Sequence, residues 1–304
     1  MTRVARQLIS IVMATYDRAA LLPRAIDSVL AQDYPAWELI VVDDGSRDQT
    51  LSVLAGYRDP RVTVVRHEKN RGVTAAKNTG FDHMRGEWFT VLDSDDEVVP
   101  DALSTMLAVA DAHPDVDAVS CNCRDATTGL LCGSGLEHDG YVDLATLARL
   151  TGEHWGITRS SLLGSRRFDE RIPGLEGVLW LKVSANARRY YVHRALRIYH
   201  SEGQDRVSVR NEDRDRRLAM YAPLAEDDEY LALLERLVRE RYATVVYFIC
   251  LACVVAGRRE ESWRFWRRYE GPRKRGVFLF ASCALGPRWV KAAYAVRDAV
   301  VRGR

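Results

Sequence analysis

Short apolar, β-branched runs alternate with stretches of helical spacing along the first third of the chain. LISIVMATY (8–16) and WELIVVDDGS (37–46) carry continuous apolar runs of strand length. Between them Leu22, Ala25, Ile26, Val29 and Leu30 recur at helical spacing, which predicts a helix with Pro23 in its first turn. QTLSVLAGY (49–57) reads as a helix, RVTVVRHE (61–68) as a strand, NRGVTAAKNTGFDHM (70–84) as a loop and helix, and EWFTVLDSDD (87–96) as a fourth strand. Strands alternating with helices at this pitch predict an α/β fold, a parallel sheet with helices on both faces.

The pattern loosens after residue 100. PDALSTMLAVADAH (100–113) predicts a helix opening on Pro100, and VDAVSCNCR (116–124) a strand. Residues 124–155 are Gly-rich and irregular around a short helix at LATLARL, and 156–209 add a helix and a short strand around a polar loop. From about 211 the chain reads as helical throughout. ATVVYFICLACVVAG (243–257) is an apolar run shorter than the roughly 20 residues a spanning helix needs, so it is either a buried core helix or an interfacial one. This division gives residues 1–110, 111–210 and 211–304.

Three polar clusters fall where strands end: Thr15-Tyr16-Asp17, Asp43-Asp44-Gly45-Ser46, and Asp93-Ser94-Asp95-Asp96 followed by Glu97. In open α/β sheets ligands gather at the carboxyl ends of the strands. Turn-forming Asp and Gly after strands give the same clusters with no ligand. Four acids packed into residues 93–97 repel one another unless water or a cation compensates them. Asp93 and Asp95, two positions apart in a loop, can turn their carboxylates toward one point, which suits a hard divalent cation that keeps positions open for phosphates. Asp96 and Glu97 are expected to cap the helix near Pro100. Val98 stands where an EF-hand loop needs glycine, and neither a P-loop nor a G-x-G-x-x-G segment is present.

Composition adds little against this picture. At 304 residues, 47% hydrophobic and 28% charged, the chain is an ordinary globular one. Its charge is uneven: from Arg258 onward 13 Lys/Arg face four acids, a net +9, which leaves −7 on the first 257 residues. Basic residues interleaved with Trp and Phe in that tail point to peripheral contact with an anionic membrane; a helical subdomain packed on the core is the alternative. Nothing points to nucleic acid. Cys250 and Cys253 have C-x-x-C spacing, but no second pair or His cluster accompanies them to build a zinc site, and no apolar leader precedes the first strand, so reduced thiols and a cytoplasmic chain are expected.

SIVMATYDR, ELIVVDDGSRD, NRGVTAAKNTG and GEWFTVLDSDDEVVPDAL follow one another in fixed order. Over residues 8–110 this order and spacing resembles the bacterial family 2 glycosyltransferases of the GT-A fold; the likeness is looser over 150–210 and ends near 211. The resemblance implies a GT-A-type doubly wound, mainly parallel sheet with a C-terminal helical extension. It implies an inverting transferase that uses a nucleotide-diphosphate sugar with Mn²⁺ or Mg²⁺. Ala14 and Tyr16 then hold the base, Asp44 hydrogen-bonds it (a uracil is favoured), and Asn70, Asn78 and Ser94 lie along the nucleotide sugar. Asp93 and Asp95 match the metal-binding D-x-D. The family's general base lies in a Glu-Asp pair a few residues before a helical Trp. Here PGLEGVLWLK carries Glu176 with Gly177 beside it and Trp180 after it, so Glu176 is the candidate base and its paired acid is missing. IYHSEGQDRVS (198–208) resembles the family's closing Tyr-x-x-His-x-x-Ser segment, which places His200 on the metal or diphosphate and Arg206 on phosphate. Lys77 and Arg71 are further candidates for phosphate.

The chemistry suits that reading. A departing diphosphate gains negative charge that a metal neutralises, and the acceptor hydroxyl must give its proton to a carboxylate across the sugar. The acceptor is a carbohydrate, a lipid-linked sugar or a small molecule, with surface polysaccharide or glycoconjugate synthesis the expected setting. The missing acid also allows a degenerate fold that binds nucleotide without turnover. A nucleotidyltransferase lacks its Gly-rich, Arg/Lys-bearing phosphate loop here.

Overall fold

Every residue of β2 (Trp37–Asp43) is buried, as a central strand covered on both faces requires. It is flanked in sequence by β1 (Ile9–Thr15) and α1 (Leu22–Leu30), then by α2 (Thr50–Leu54), β3 (Val62–Arg66), α3 (Val73–Asp82) and β4 (Trp88–Val91). These are the elements the apolar pattern predicts, with α1 beginning beside Pro23 and burying Leu22, Ala25, Ile26 and Val29. The computed structural model describes residues 7–200 and 218–302.

The chain continues through β5 (Glu97–Val98), α4 (Ala102–Ala112), β6 (Ala118–Asp125), β7 (Gly140–Val142), α5 (Leu144–Leu147), β8 (His154–Arg159), α6 (Ser160–Leu163), α7 (Gly177–Ser184) and β9 (Arg189–Tyr199). All nine strands join one sheet in the order β3-β2-β1-β4-β8-β6-β9-β5, with β7 on β9. Residues 1–110 and 111–210 therefore share a sheet.

The topology places the site. β1 pairs parallel with β2 on one side and with β4 on the other. The chain runs outward from β1 through β2 to β3, then returns to β4 across β1, so the strand order reverses between β1 and β4. Ligands in such sheets bind outside the carboxyl ends at that switch point. Side chains alternate across the sheet: Ile9, Ile11 and Met13 pack with Leu22 and Ile26 of α1 and Met106 of α4, whereas Val12 meets Phe81 of α3 on the other face. A Cβ at Gly80 would approach Val12 Cγ1 to 2.3 Å, so a glycine is needed for α3 to lie this close to β1.

The chain forms two compact units: residues 1–170 with 176–203, and residues 171–175 with 204–304. The second contains a short 3₁₀ turn (Pro223–Glu226) and α8 (Asp228–Leu237), α9 (Arg239–Val255), α10 (Arg259–Arg268), α11 (Arg273–Leu285) and α12 (Pro287–Arg302). α9 holds the apolar run and buries Tyr242, Val246, Ile249, Cys250 and Cys253, which makes it the core helix of this unit rather than an interfacial one. Among the described residues no helix is long and apolar enough to cross a membrane. All six cysteines are free thiols.

Candidate active site

The loops after β1 and β2 are stitched together. Asp17, at φ +50, donates its N–H to Ser46 Oγ at 2.9 Å and accepts from the Arg47 N–H at 2.7 Å. Gly45, at φ +75, lies where a Cβ would meet the Lys69 and Asn70 backbone at 2.8–2.9 Å, so the loop after β3 can close over it. Asp44 holds that loop. Its Oδ1 accepts from the Arg71 N–H at 2.9 Å and sits 2.7 Å from His67 Nδ1, and its Oδ2 accepts from the Gly72 N–H at 2.7 Å.

Asp44, the expected reader of the base, thus has both oxygens engaged by the chain. The free oxygen belongs to its neighbour. Asp43 Oδ2 and Thr15 Oγ1 are buried without a hydrogen-bond partner, and the two residues are paired in register at the ends of β2 and β1. Arg66 Nε lies 3.6 Å from that Asp43 oxygen, an ion pair rather than a hydrogen bond. Buried polar atoms left over at a switch point call for an external partner.

At the end of β4 the acids are compensated by cations of the protein itself. Asp93 Oδ1 lies 3.2 Å from Lys77 Nζ on α3, and its Oδ2 lies 2.9 Å from Arg197 Nη2 on β9. Arg197 also binds Asp96 through Nε at 2.7 Å and through Nη2. Its side chain is 6% exposed, against 44% for Asp93. Lys77 above all holds the Asp93 carboxyl well below the usual range, and Arg197 adds to this against the cost of burial. Burial pushes Asp96 up to about 6, despite the pull of Arg197. Burial alone would lower the Arg197 and Lys77 values, but their acidic neighbours outweigh it and raise both.

Asp96 and Glu97 do not cap α4, whose N-cap residue is Asp101. Asp96 accepts from the His200 N–H at 2.8 Å, and Glu97 lies 2.7 Å from His200 Nε2. The His200 ring, expected on the metal or diphosphate, thus also serves the pairing of β5 with β9. Asn78 makes its contacts within the chain. It is buried within α3 and brackets Phe168, donating to its carbonyl at 3.0 Å and accepting from its N–H at 2.8 Å. It ties α3 to the segment before α7, and its Nδ2 also donates to Glu170 Oε1 at 3.2 Å. Asn70 is exposed on the loop over Gly45, Ser94 is buried, and Tyr16 and Ala14 are half-buried at the end of β1. Arg71 pairs with Glu170 at 3.6 Å. Arg206 lies outside the described residues.

Glu176 immediately precedes α7, and its carboxylate makes no cap hydrogen bond. Its charge reaches Lys77, which it helps to keep protonated alongside Asp93. One buried ammonium therefore links the acids after β4 to the candidate base. Arg197 escaped the sequence reading; its only signal is a charged residue breaking the apolar alternation of a strand.

Whether these residues suit a hard divalent cation depends on their oxygens. Both Asp93 oxygens face cations. Among the described residues the Asp95 carboxylate pairs only with Arg18, at 3.7 Å, while its carbonyl accepts from Arg24 at 2.5 Å. Mg²⁺ and Mn²⁺ suit one or two carboxylates with water and phosphate oxygens completing the shell. The pair fits an ion held in that open manner. Among the described residues no three acid, His or Cys side chains cluster into a closed metal cage.

Known proteins are similar to this chain in sequence and in fold. A profile described as Glycosyl transferase family 2 matches residues 10–130. A GalNAc(5)-diNAcBac-PP-undecaprenol beta-1,3-glucosyltransferase of Campylobacter jejuni is 35% identical over 213 residues, which cover 66% of this chain and 67% of that one. The succinoglycan biosynthesis protein ExoO of Rhizobium meliloti is 40% identical over 143 residues, but they span only 40% of its length and 47% of this chain. The structure of S. aureus TarS 1-349 in complex with UDP-GlcNAc shares the fold, with a TM-score of 0.66 over 86% of this chain and 90% of that one at 19% identity. Acids at the strand ends beside a switch point, a matching family profile, and a relative matched along two thirds of its length lead to one conclusion: the chain belongs to glycosyl transferase family 2.

Proposed function

We propose that the protein is an inverting glycosyltransferase that moves a sugar from a UDP-type donor to a hydroxyl of a lipid-linked acceptor. It works at the cytoplasmic face of a membrane in surface polysaccharide or glycoconjugate synthesis. The observation that carries this reading is Lys77, 3.2 Å from Asp93 and within the field of Glu176, one ammonium beside both a strand-end acid and the candidate base. The undecaprenol-linked acceptor in the name of the Campylobacter relative supports the acceptor class.

Asp43 and Thr15 offer the base a carboxylate oxygen and a hydroxyl. Lys77 and Arg197 fix Asp93 and set preorganised positive charge beside the leaving diphosphate. A divalent ion held by Asp95 and Asp93 supplies Lewis-acid charge there when bound. Glu176 takes the acceptor's proton as its oxygen bonds to the anomeric carbon and the bond to diphosphate breaks on the opposite face, which inverts configuration.

Glu176→Gln tests this directly. The variant keeps the thermal shift produced by UDP-sugars with Mn²⁺ or Mg²⁺, about 2.7 kcal/mol at 100 times the dissociation constant. Its kcat falls about 10²–10⁴-fold. Unchanged transfer by the variant removes Glu176 from the mechanism. Donor binding by the wild type with no turnover on any lipid-linked acceptor supports instead the nucleotide-binding scaffold that the missing acid at Gly177 allows.

A further inference from the structure

The second unit carries an apolar surface that its own core does not use. α11 buries Leu279, Ser282 and Cys283 against the unit. Arg273, Lys274, Val277, Phe280, Ala281, Ala284 and Leu285 fall within about 140° on the opposite side, at ~100° per residue. Val277 is 62% exposed, Phe280 49% and Leu285 62%. Phe280 is not isolated. Its ring lies 5.5 Å from Trp263 and 5.4 Å from Trp266, both half-buried on α10, so three aromatic rings form one partly exposed cluster.

The charge along α11 and the start of α12 has one sign. From Gly271 to Lys291 the chain has five Lys/Arg and no acid. Arg267, Arg273, Lys274 and Arg288 are exposed, and none pairs with an acid among the described residues. The nearby Glu270 is held by Arg239 at 3.2 Å. A water-exposed Phe and two partly exposed Trp, ringed by cations, match the headgroup boundary of an anionic bilayer, where indole and phenyl rings bury their faces and Lys/Arg meet lipid phosphates.

We infer that the Val277–Phe280–Leu285 face of α11, with Trp263 and Trp266 of α10, docks the protein onto an anionic membrane surface. Docking adds shallow insertion of these side chains to attraction by the surrounding cations. The face stands on α10 and α11 alone and needs nothing from the donor site. It fits the proposed reaction because a lipid-linked acceptor is met at a membrane.

The test is vesicle co-sedimentation of the full chain without nucleotide. The protein pellets with phosphatidylcholine vesicles containing about one-third phosphatidylglycerol, and not with phosphatidylcholine alone. Val277→Ser/Phe280→Ser lowers the partition coefficient more than tenfold. Arg273→Gln and Lys274→Gln lower it about fivefold each, and the loss shrinks in high salt. All four side chains are exposed, so circular dichroism melts of these variants match the wild type. Quenching of Trp fluorescence by brominated anionic lipid, abolished in Trp263→Phe/Trp266→Phe, reads the same contact in a second way. No pelleting with anionic vesicles, or equal pelleting by the Val277/Phe280 variant, overturns the inference. So does a dimer in light scattering that Phe280→Ser converts to monomer while vesicle binding persists, because the face then belongs to a second copy. None of these failures bears on Glu176 or the donor crevice.

Discussion

Arg197→Met removes the cation that ties the end of β4 to β9. Arg197 Nε lies 2.7 Å from Asp96 Oδ2, and Nη2 lies 2.9 Å from Asp93 Oδ2. Asp93 keeps Lys77 and much of its contact with water. Asp96 is 1% exposed and keeps only the His200 N–H. The cost therefore falls chiefly on Asp96, which is left as a buried charge without a counter-ion. Breaking one side of such a pair costs about 3–5 kcal/mol. The assay is urea denaturation followed by Trp fluorescence, run as a double-mutant cycle with Asp96→Asn. Once Arg197 is gone, Asp96→Asn removes the stranded charge, so the double variant recovers part of the loss, with a coupling of about 2–3 kcal/mol. Donor-induced thermal shifts weaken as well, because Asp93 then has a single anchor. A loss under ~1 kcal/mol, or strictly additive single variants, refutes the claim that Arg197 is the buried counter-ion of this cluster.

Three further outcomes separate roles that the sequence left merged. Asp43→Asn weakens UDP binding about tenfold by titration calorimetry with little loss of stability, whereas Asp44→Asn loosens the loop over Gly45 and lowers the melting temperature; the reverse pattern restores Asp44 as the base reader. Asn78→Ala costs about 2–3 kcal/mol, because it strands the buried Phe168 N–H and carbonyl, and it leaves the donor KM unchanged in steady-state assays. Glu38→Gln flattens the acid limb of the stability curve. Burial alone would raise the Glu38 carboxyl, but hydrogen bonds from Ser10 Oγ at 2.7 Å and the Arg85 N–H at 2.7 Å hold it below its ordinary value. Its contribution is therefore present above the unfolded value of about 4.3 and is lost as pH falls through the folded one. Urea midpoints at pH 3 to 7 check this, and identical acid limbs in the two proteins would exclude it.

The parallel half of the sheet was legible because its signals are local. β1, α1, β2 and β3 each announce themselves within ten residues, and Pro23 and Gly45 mark where a helix starts and a loop doubles back. β5 was not legible. It is two residues long, and it exists because Glu97 and Val98 meet Ile198 and Arg197 across the chain. The acid cluster was visible for the same reason that the fold was, as neighbours in sequence. Its division of labour was not, because the partners come from α3 and from β9, and no local pattern brings Lys77 and Arg197 to one carboxylate.

Once those partners are in place, the four acids no longer form one group. Asp96 and Glu97 are drawn toward β9 and hold the sheet together through Arg197 and His200. Asp93 is clamped between two cations, Lys77 and Arg197. Asp95 has its carboxylate only at the edge of ion-pair range, 3.7 Å from Arg18. The electrostatics that make the cluster tolerable thus also sort it: the more completely an acid is compensated from within, the less it has to offer a ligand. By that ordering the proposed divalent ion would rest chiefly on Asp95, and Asp93 would serve chiefly to hold the site in shape.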